Sequence, residues 1–312
     1  MPKRRLLPLA GGRRFEYESR GRGTRLLIVH PGGPGLTAEY LRPFLQLGDR
    51  ARRVVLVHPR GVGRSFRPRS PSAYTLGAMA RDLDEIRRAF RVERIDLLGF
   101  SAGGFVALEY ARRYGSHLTS LLLCGTAGSA DDLRAANRAM RRGLAPSVRG
   151  RLRRFERARS FDSPEYTALV EEIERPYQSR YLRKPSPDLA ASRLEPHVYR
   201  AMMTRTGNEF VVDGTLATWD AGPSLGGIRA PTLVLVGADD FLAPASRRLA
   251  QRIPRARLVV LERASHLAHL ERPREYLATL RAFLGSVVPG PDPAATGGRR
   301  PRARAGGGPR RP

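Results

Sequence analysis

The stretch "RIDLLGFSAGGFVALEYARRYG", residues 94–115, passes from a short apolar run through a serine set among small residues into a segment of different period. Residues 94–100, apolar apart from Arg94 and Asp96, read as a buried strand. Beyond Ser101 the apolar positions recur at three- and four-residue intervals, as on one face of a helix. Gly99, Phe100, Ser101, Ala102 and Gly103 therefore form a Gly-x-Ser-x-Gly turn between a strand and a helix. Such a turn is strained and crowded, so small residues must flank the serine, and its hydroxyl is lifted above the sheet. Ser101 is the candidate nucleophile.

The same alternation extends outward. Apolar runs with β-branched content at 26–30 ("LLIVH"), 53–58 ("RVVLVH"), 118–125 ("LTSLLLCG"), 231–238 ("PTLVLVGA") and 256–262 ("ARLVVLE") predict further buried strands. Helical patterns at 37–47, 76–91, 102–115, 244–253 and 272–284 fall between most of them. Strands alternating with helices predict an α/β fold, a mostly parallel sheet with helices on both faces. The alternation fails within 127–225, where "RAANRAMRRGL", "SPEYTALVEEIERPY" and "PHVYRAMMTRTG" read as helices with no strand between them. That segment is expected to be an inserted helical cap on a core made of residues 1–126 and 226–286. From Gly285 the chain turns to Pro, Gly and Arg with little to bury, and 287–312 is expected to be a disordered basic tail.

A serine hydroxyl is a weak nucleophile at neutral pH and needs a histidine base held by a carboxylate. Behind a turn of this kind the partners follow in the order Ser, Asp, His. "GADDFLAP" (237–244), after the strand at 231–238, offers Asp239 and Asp240; "RASHLAHLERP" (263–273), after the last strand, offers His266 and His269. His266 lies on the loop directly past the strand and is the better base, whereas His269 falls inside the next segment. His30, His58, His117 and His197 are expected to be structural. The glycine-rich "HPGGPG" (30–35) follows the strand at 26–30, where backbone N–H groups can face the site. Gly33 N–H and Ala102 N–H are the candidate oxyanion donors, each worth roughly 3 kcal/mol in a transition state. This chemistry requires no metal and no organic cofactor.

Composition narrows the partners. The one cysteine, Cys124, sits in an apolar run and has nothing to pair with, so a buried structural thiol is expected. The basic start of the chain has its apolar stretch broken by Pro8, too short for a secretory core, and no run approaches the ~18 apolar residues of a membrane span. A soluble, cytoplasmic protein without a membrane partner is expected. The net charge of +27 raises the question of nucleic acid. Residues 1–14 and 287–312 supply +5 each, and the remaining cations are scattered among acids, as in "RDLDEIRRAF" (81–90). That pattern describes solvated helix faces, so specific nucleic-acid binding is not expected.

Together "PGGPG" (31–35), "RGVGRS" (60–65), "GFSAGG" (99–104), "GADDFLAP" (237–244) and "SHLAHLERP" (265–273) resemble the proline iminopeptidase family of α/β-hydrolases, over roughly residues 13–285. The resemblance implies an α/β-hydrolase fold, a Ser101, Asp240 and His266 triad, and release of an N-terminal residue from short peptides. The segment "TRTGNEFVVDGTLATWD" (204–220) is similar to the part of tricorn-interacting aminopeptidases and their relatives that carries an amine-binding glutamate, a role that would fall to Glu209. An ammonium held by a carboxylate gains a charge-assisted hydrogen bond and places the scissile bond one residue from the chain end. The chain departs from these families in having Pro31 where they carry histidine, Ala102 after the nucleophile, and Phe241 where the tricorn-interacting branch has a second amine-binding carboxylate. Two other readings stand beside the aminopeptidase: an α/β-hydrolase of small esters, amides or lactones, with "VRGRLRRFERAR" (148–159) suited to acidic substrates, and a basic nucleic-acid or anion-binding protein on a hydrolase scaffold.

Overall fold

Burial on both faces is what makes the central strands. In β3 (Arg25–His30), Leu26 and Ile28 enter one apolar layer while Leu27 and Val29 enter the other, and none of the four is more than 2% exposed. A strand covered on both sides loses the polar alternation of a half-exposed one. A computed structural model describes residues 3–184 and 186–287; the expected basic tail from residue 288 onward lies outside the described residues.

The chain runs β1 (Arg5–Pro8), β2 (Arg14–Arg20), β3, β4 (Arg52–Val57), α1 (Leu76–Ala89), β5 (Ile95–Phe100), α2 (Ala102–Tyr114) and β6 (Leu118–Cys124). Helices α3 (Ala130–Arg142), α4 (Pro146–Ala158), α5 (Pro164–Gln178), α6 (Pro187–Ala191), α7 (Pro196–Met202) and α8 (Gly222–Leu225) follow without a sheet strand. The sheet resumes with β7 (Thr232–Gly237), α9 (Ala243–Arg252) and β8 (Ala256–Leu261), and the described chain closes with α10 (Ala268–Glu271) and α11 (Pro273–Ser286). The eight strands lie in the order β1-β2-β4-β3-β5-β6-β7-β8, antiparallel for the first two pairings and parallel from β4 to β8.

The insertion between β6 and β7 has its own small core of Met140, Leu152, Tyr166, Leu169, Ile173 and Phe210. Three details differ from expectation. The segment expected as a helix at 37–47 is a 3-10 helix over Glu39–Leu47 with Pro43 inside it, and a proline there removes a backbone donor. Strands β1 and β2 add an antiparallel edge that the apolar runs did not announce. Helix α11 continues through Gly285 to Ser286, both exposed, and Val287 just past it is buried in the same apolar cluster as Phe283 and Leu284, where the tail was expected to begin.

Candidate active site

Ser101 stands at the tip of the turn between β5 and α2, with φ 53° and ψ −123°. A non-glycine residue with positive φ is strained by something of order 1–3 kcal/mol, a cost tolerated where geometry is needed for chemistry. The turn closes because β5 and α2 touch: a Cβ on Gly99 would sit 2.3 Å from the carbonyl oxygen of Gly103. Ser101 N–H donates to Cys124 O (2.8 Å), and Ser101 O accepts from Gly104 N–H (2.8 Å) and Thr126 Oγ1 (2.8 Å). These bonds fix the backbone and leave the Ser101 side chain in the cavity above the sheet.

The carboxylate and the histidine arrive from the ends of β7 and β8. His266 Nδ1 lies 2.9 Å from Asp240 Oδ2, and both residues are buried. Asp240 Oδ1 accepts the amide of Leu242 (2.8 Å), which orients the carboxylate. Asp239 points elsewhere, accepting the Tyr181 hydroxyl at 2.6 Å. His269, in α10, is fully buried with Nε2 3.0 Å from Tyr40 O, and burial drives its pKa down to about 3. Of the alternatives in the sequence, the structure joins Asp240 with His266. The His266 loop is held from the insertion, because its amide and that of Leu267 donate to Tyr177 O (2.9 Å) and Gln178 O (2.8 Å) at the end of α5.

The glycine loop after β3 packs against the same site. Gly32 N–H is taken by the Tyr40 hydroxyl (2.7 Å), so it cannot serve an oxyanion. Gly33 lines the cavity beside Ser101 and Ala102. Ala102 is the first residue of α2, where the helix dipole adds a partial positive charge. His30 turns Nδ1 onto Pro31 O (2.9 Å), and burial holds its pKa down at about 4. It shapes the loop as an uncharged ring at neutral pH.

The cavity, about 370 Å³, lies between this sheet edge and the insertion, and Ser101, His266, Glu174 and Glu209 all border it. Glu209 accepts the Tyr199 hydroxyl, and its amide is held by Tyr166 Oη (2.9 Å). Burial raises the Glu209 pKa against the opposing effect of the Tyr199 hydrogen bond. Glu174, on the inner face of α5, was not singled out by the sequence. Burial, and then the charge of Glu209, push it up to about 7. Within one cavity the charge of Glu209 raises the cost of ionising Glu174. The apolar wall includes Phe105, Leu133, Met140, Met203 and Phe241.

Among the described residues, Glu18, Glu39 and His58 are close enough for a shared metal ion. Arg42 already forks onto Glu18 (2.8 and 2.9 Å) and Arg4 pairs with Glu39, and none of the three borders the Ser101 cavity. Cys124 is buried and its thiol pKa is pushed up to about 12, which leaves it unreactive.

An elbow serine bordering the same cavity as a carboxylate-bound histidine, at the C-terminal edge of this sheet, is the arrangement that acyl transfer through a serine ester requires, and it defines a hydrolase of the α/β class. The family model for the alpha/beta hydrolase fold matches residues 25–273. The proline iminopeptidase of Saccharolobus solfataricus is 30% identical over 278 residues, covering 87% of this chain and 88% of that protein. The crystal structure of the Mycobacterium smegmatis proline iminopeptidase superposes with a TM-score of 0.80 at 30% identity, over 91% of this chain and 98% of that one. VinJ superposes with a TM-score of 0.83 at 28% identity, over 92% and 100% of the two chains. The chain belongs to the proline iminopeptidase family of α/β-hydrolases. No helix among the described residues is long and apolar enough to cross a membrane.

Proposed function

We propose that the protein is an aminopeptidase that releases an N-terminal residue, proline foremost, from short peptides through a seryl ester. Ser101 Oγ attacks the first peptide carbonyl while His266 Nε2 takes its proton, and His266 later returns that proton to the leaving amine. Asp240 holds the Nδ1–H side of the ring and stabilises the imidazolium. The N–H groups of Gly33 and Ala102 receive the oxyanion. Water then attacks the ester with His266 again as base.

The observation that carries the peptide reading is the pair of carboxyls, Glu174 and Glu209, in the cavity that holds Ser101 and His266. An N-terminal ammonium bound at this pair offsets the repulsion that the charge of Glu209 exerts on Glu174. Glu174, from the inserted helices, takes the place of the carboxylate that Phe241 lacks. The apolar wall suits a pyrrolidine ring better than a charged side chain.

The test is hydrolysis of proline and alanine arylamides, their N-acetylated forms and a short-chain aryl ester. The Ser101→Ala protein should lose roughly 10⁴-fold or more of the arylamide activity without a change in fold. Acetylation should lower kcat/KM by roughly 10²-fold, since it removes at least one charge-assisted hydrogen bond. Ester turnover without arylamide turnover would move the substrate to small esters, and activity retained by Ser101→Ala would overturn the mechanism.

A further inference from the structure

At the opposite edge of the sheet, where β3, β4 and β5 begin, lies a second cavity of about 480 Å³ bordered by Arg22, Arg25, Arg53, Arg91, Arg94 and Phe90. Its two acids already have partners, and Asp96 offsets one of the cavity's own cations, Arg25. Asp96 accepts Ser120 Oγ (2.7 Å) and lies 3.6 Å from both Arg25 and Arg52, while Glu93 lies 3.0 Å from His117 Nδ1. Arg94 Nε donates to Ser116 O (3.0 Å), and Arg53 rests over the Phe90 ring at 6.0 Å. No carboxylate among the described residues pairs with Arg22, Arg53 or Arg91, and the buried Arg25 Nε has no acceptor.

These cations come from separate elements. The dipole at the C-terminal end of α1 favours a positive charge at Arg91. It does not account for Arg22 on a loop, Arg25 on β3 or Arg53 on β4. Arg25 and Arg53 are half-buried at the floor of the cavity, so they are not a solvated helix face. Arg91 itself has φ 56°, just past the end of α1, where glycine is the usual residue. An arginine is thus held in a backbone conformation that glycine would adopt without strain.

We propose that this cavity binds a small molecule carrying at least two phosphate groups. A guanidinium fork matches phosphate oxygens in pairs. Arg22, Arg53 and Arg91, three such forks without a carboxylate partner among the described residues, carry more charge than a single phosphate can neutralise. The cavity lies one strand length, about 17 Å, from the catalytic edge, so its ligand does not compete with a peptide at Ser101.

The test is calorimetric titration of the full chain with inorganic pyrophosphate and with inorganic phosphate, at an ionic strength of about 0.15 M, where the diffuse charge of the molecule is screened beyond about 8 Å. The expected result is saturable binding of one pyrophosphate, tighter than phosphate by about tenfold, the effect of one further charge-assisted contact. The variant Arg22→Ala/Arg53→Ala/Arg91→Ala should weaken pyrophosphate at least about tenfold, by loss of the same kind of contact, and leave proline arylamide hydrolysis unchanged. Arg138→Ala/Arg142→Ala/Arg153→Ala removes as much charge from the insertion and should leave binding unchanged. Arg91→Gly, which relieves the backbone, should keep the melting temperature and still weaken binding, so failure of the triple variant to fold does not decide the matter. Equal losses from the two triple variants, or unsaturable binding, would overturn the site. Displacement of pyrophosphate by duplex DNA, lost in the same site variants, would overturn the small-molecule assignment in favour of nucleic acid.

Discussion

At the scale of single residues, the proposed contact of Glu174 with the substrate's ammonium ties recognition to pH. Its carboxyl is pushed up to about 7 in the folded chain, above the ordinary range for glutamate. Between the unfolded value and about 7 the native state binds more protons than the unfolded state, so this group lowers stability as pH rises through that window. Glu174→Gln should therefore melt higher than wild type at about pH 8, by something on the order of 1–2 kcal/mol, and match it near pH 4, where both forms are neutral. Thermal melts at the two pH values check this. The same variant should raise KM for a proline arylamide about tenfold at pH 8, and the wild-type KM should climb as pH falls below about 7, where the ammonium loses that charged partner. Gly125 tests the triad in another way. It has φ 53°, and a Cβ there would meet Asp240 Oδ2 at 2.9 Å and His266 Nδ1 at 3.3 Å. Gly125→Ala should lower kcat by at least about 10²-fold by displacing that pair, with KM little changed. Ser101 and His266 were legible because each follows a strand whose apolar run is unmistakable, whereas the strand before Asp240 offered Asp239 equally and only the family resemblance favoured Asp240. Glu174 was not, because "VEEIERPY" (170–177) offers three glutamates and only the packing of α5 says which one faces the cavity.

At the scale of elements, α5 is the brace between the insertion and the histidine loop. Beyond the two carbonyls that hold His266 and Leu267, Glu271 accepts Ser265 N–H (2.6 Å), Ser265 Oγ (2.7 Å) and Tyr181 N–H (2.8 Å), which knits the segment after α5 to the same loop. Glu271 touches no substrate and acts by positioning. Glu271→Ala should lower kcat about 10²-fold with a smaller change in KM, and cost about 2–3 kcal/mol of stability measured by urea unfolding. Glu271→Gln, which keeps an acceptor, should recover part of both. The central strands were legible because both of their faces are buried. Strands β1 and β2 were not, because "RFEYESR" (14–20) carries charges at alternate positions. Glu16 and Glu18 are buried there only because Arg64 and Arg42 neutralise them, and that pairing across distant sequence leaves no local signal.

At the scale of the whole molecule, a strongly cationic exterior surrounds an acidic interior. The chain carries +27, yet the ionisable groups bordering the Ser101 cavity are Glu174, Glu209 and His266 with Tyr40 and Tyr199, and no arginine or lysine among the described residues joins them. The insertion that encloses the cavity was legible as a break in the strand–helix alternation, and its basic run at 148–159 and Glu209 were read from the sequence, while the second acid, Glu174, was not, because neighbouring residues on α5 face opposite ways. The two charge layers act at different stages. The exterior field is expected to act on encounter, accelerating anions and slowing cations by roughly 10- to 10³-fold at low salt, while in the proposed reaction the interior pair selects which end of the peptide is held. Peptides with an N-terminal proline and an acidic C-terminal part should therefore have kcat/KM about tenfold above otherwise identical peptides ending in lysine, at an ionic strength of about 0.02 M. At about 0.3 M the screening length shrinks to roughly 6 Å and the ratio should fall to within about twofold, while the preference for a free over an acetylated amine persists because that contact is enclosed. Steady-state rates for the two peptides across this range check the division. A ratio independent of salt would assign the discrimination to direct contacts in the cavity, and a loss of the amine preference at high salt would place Glu174 and Glu209 in open solvent.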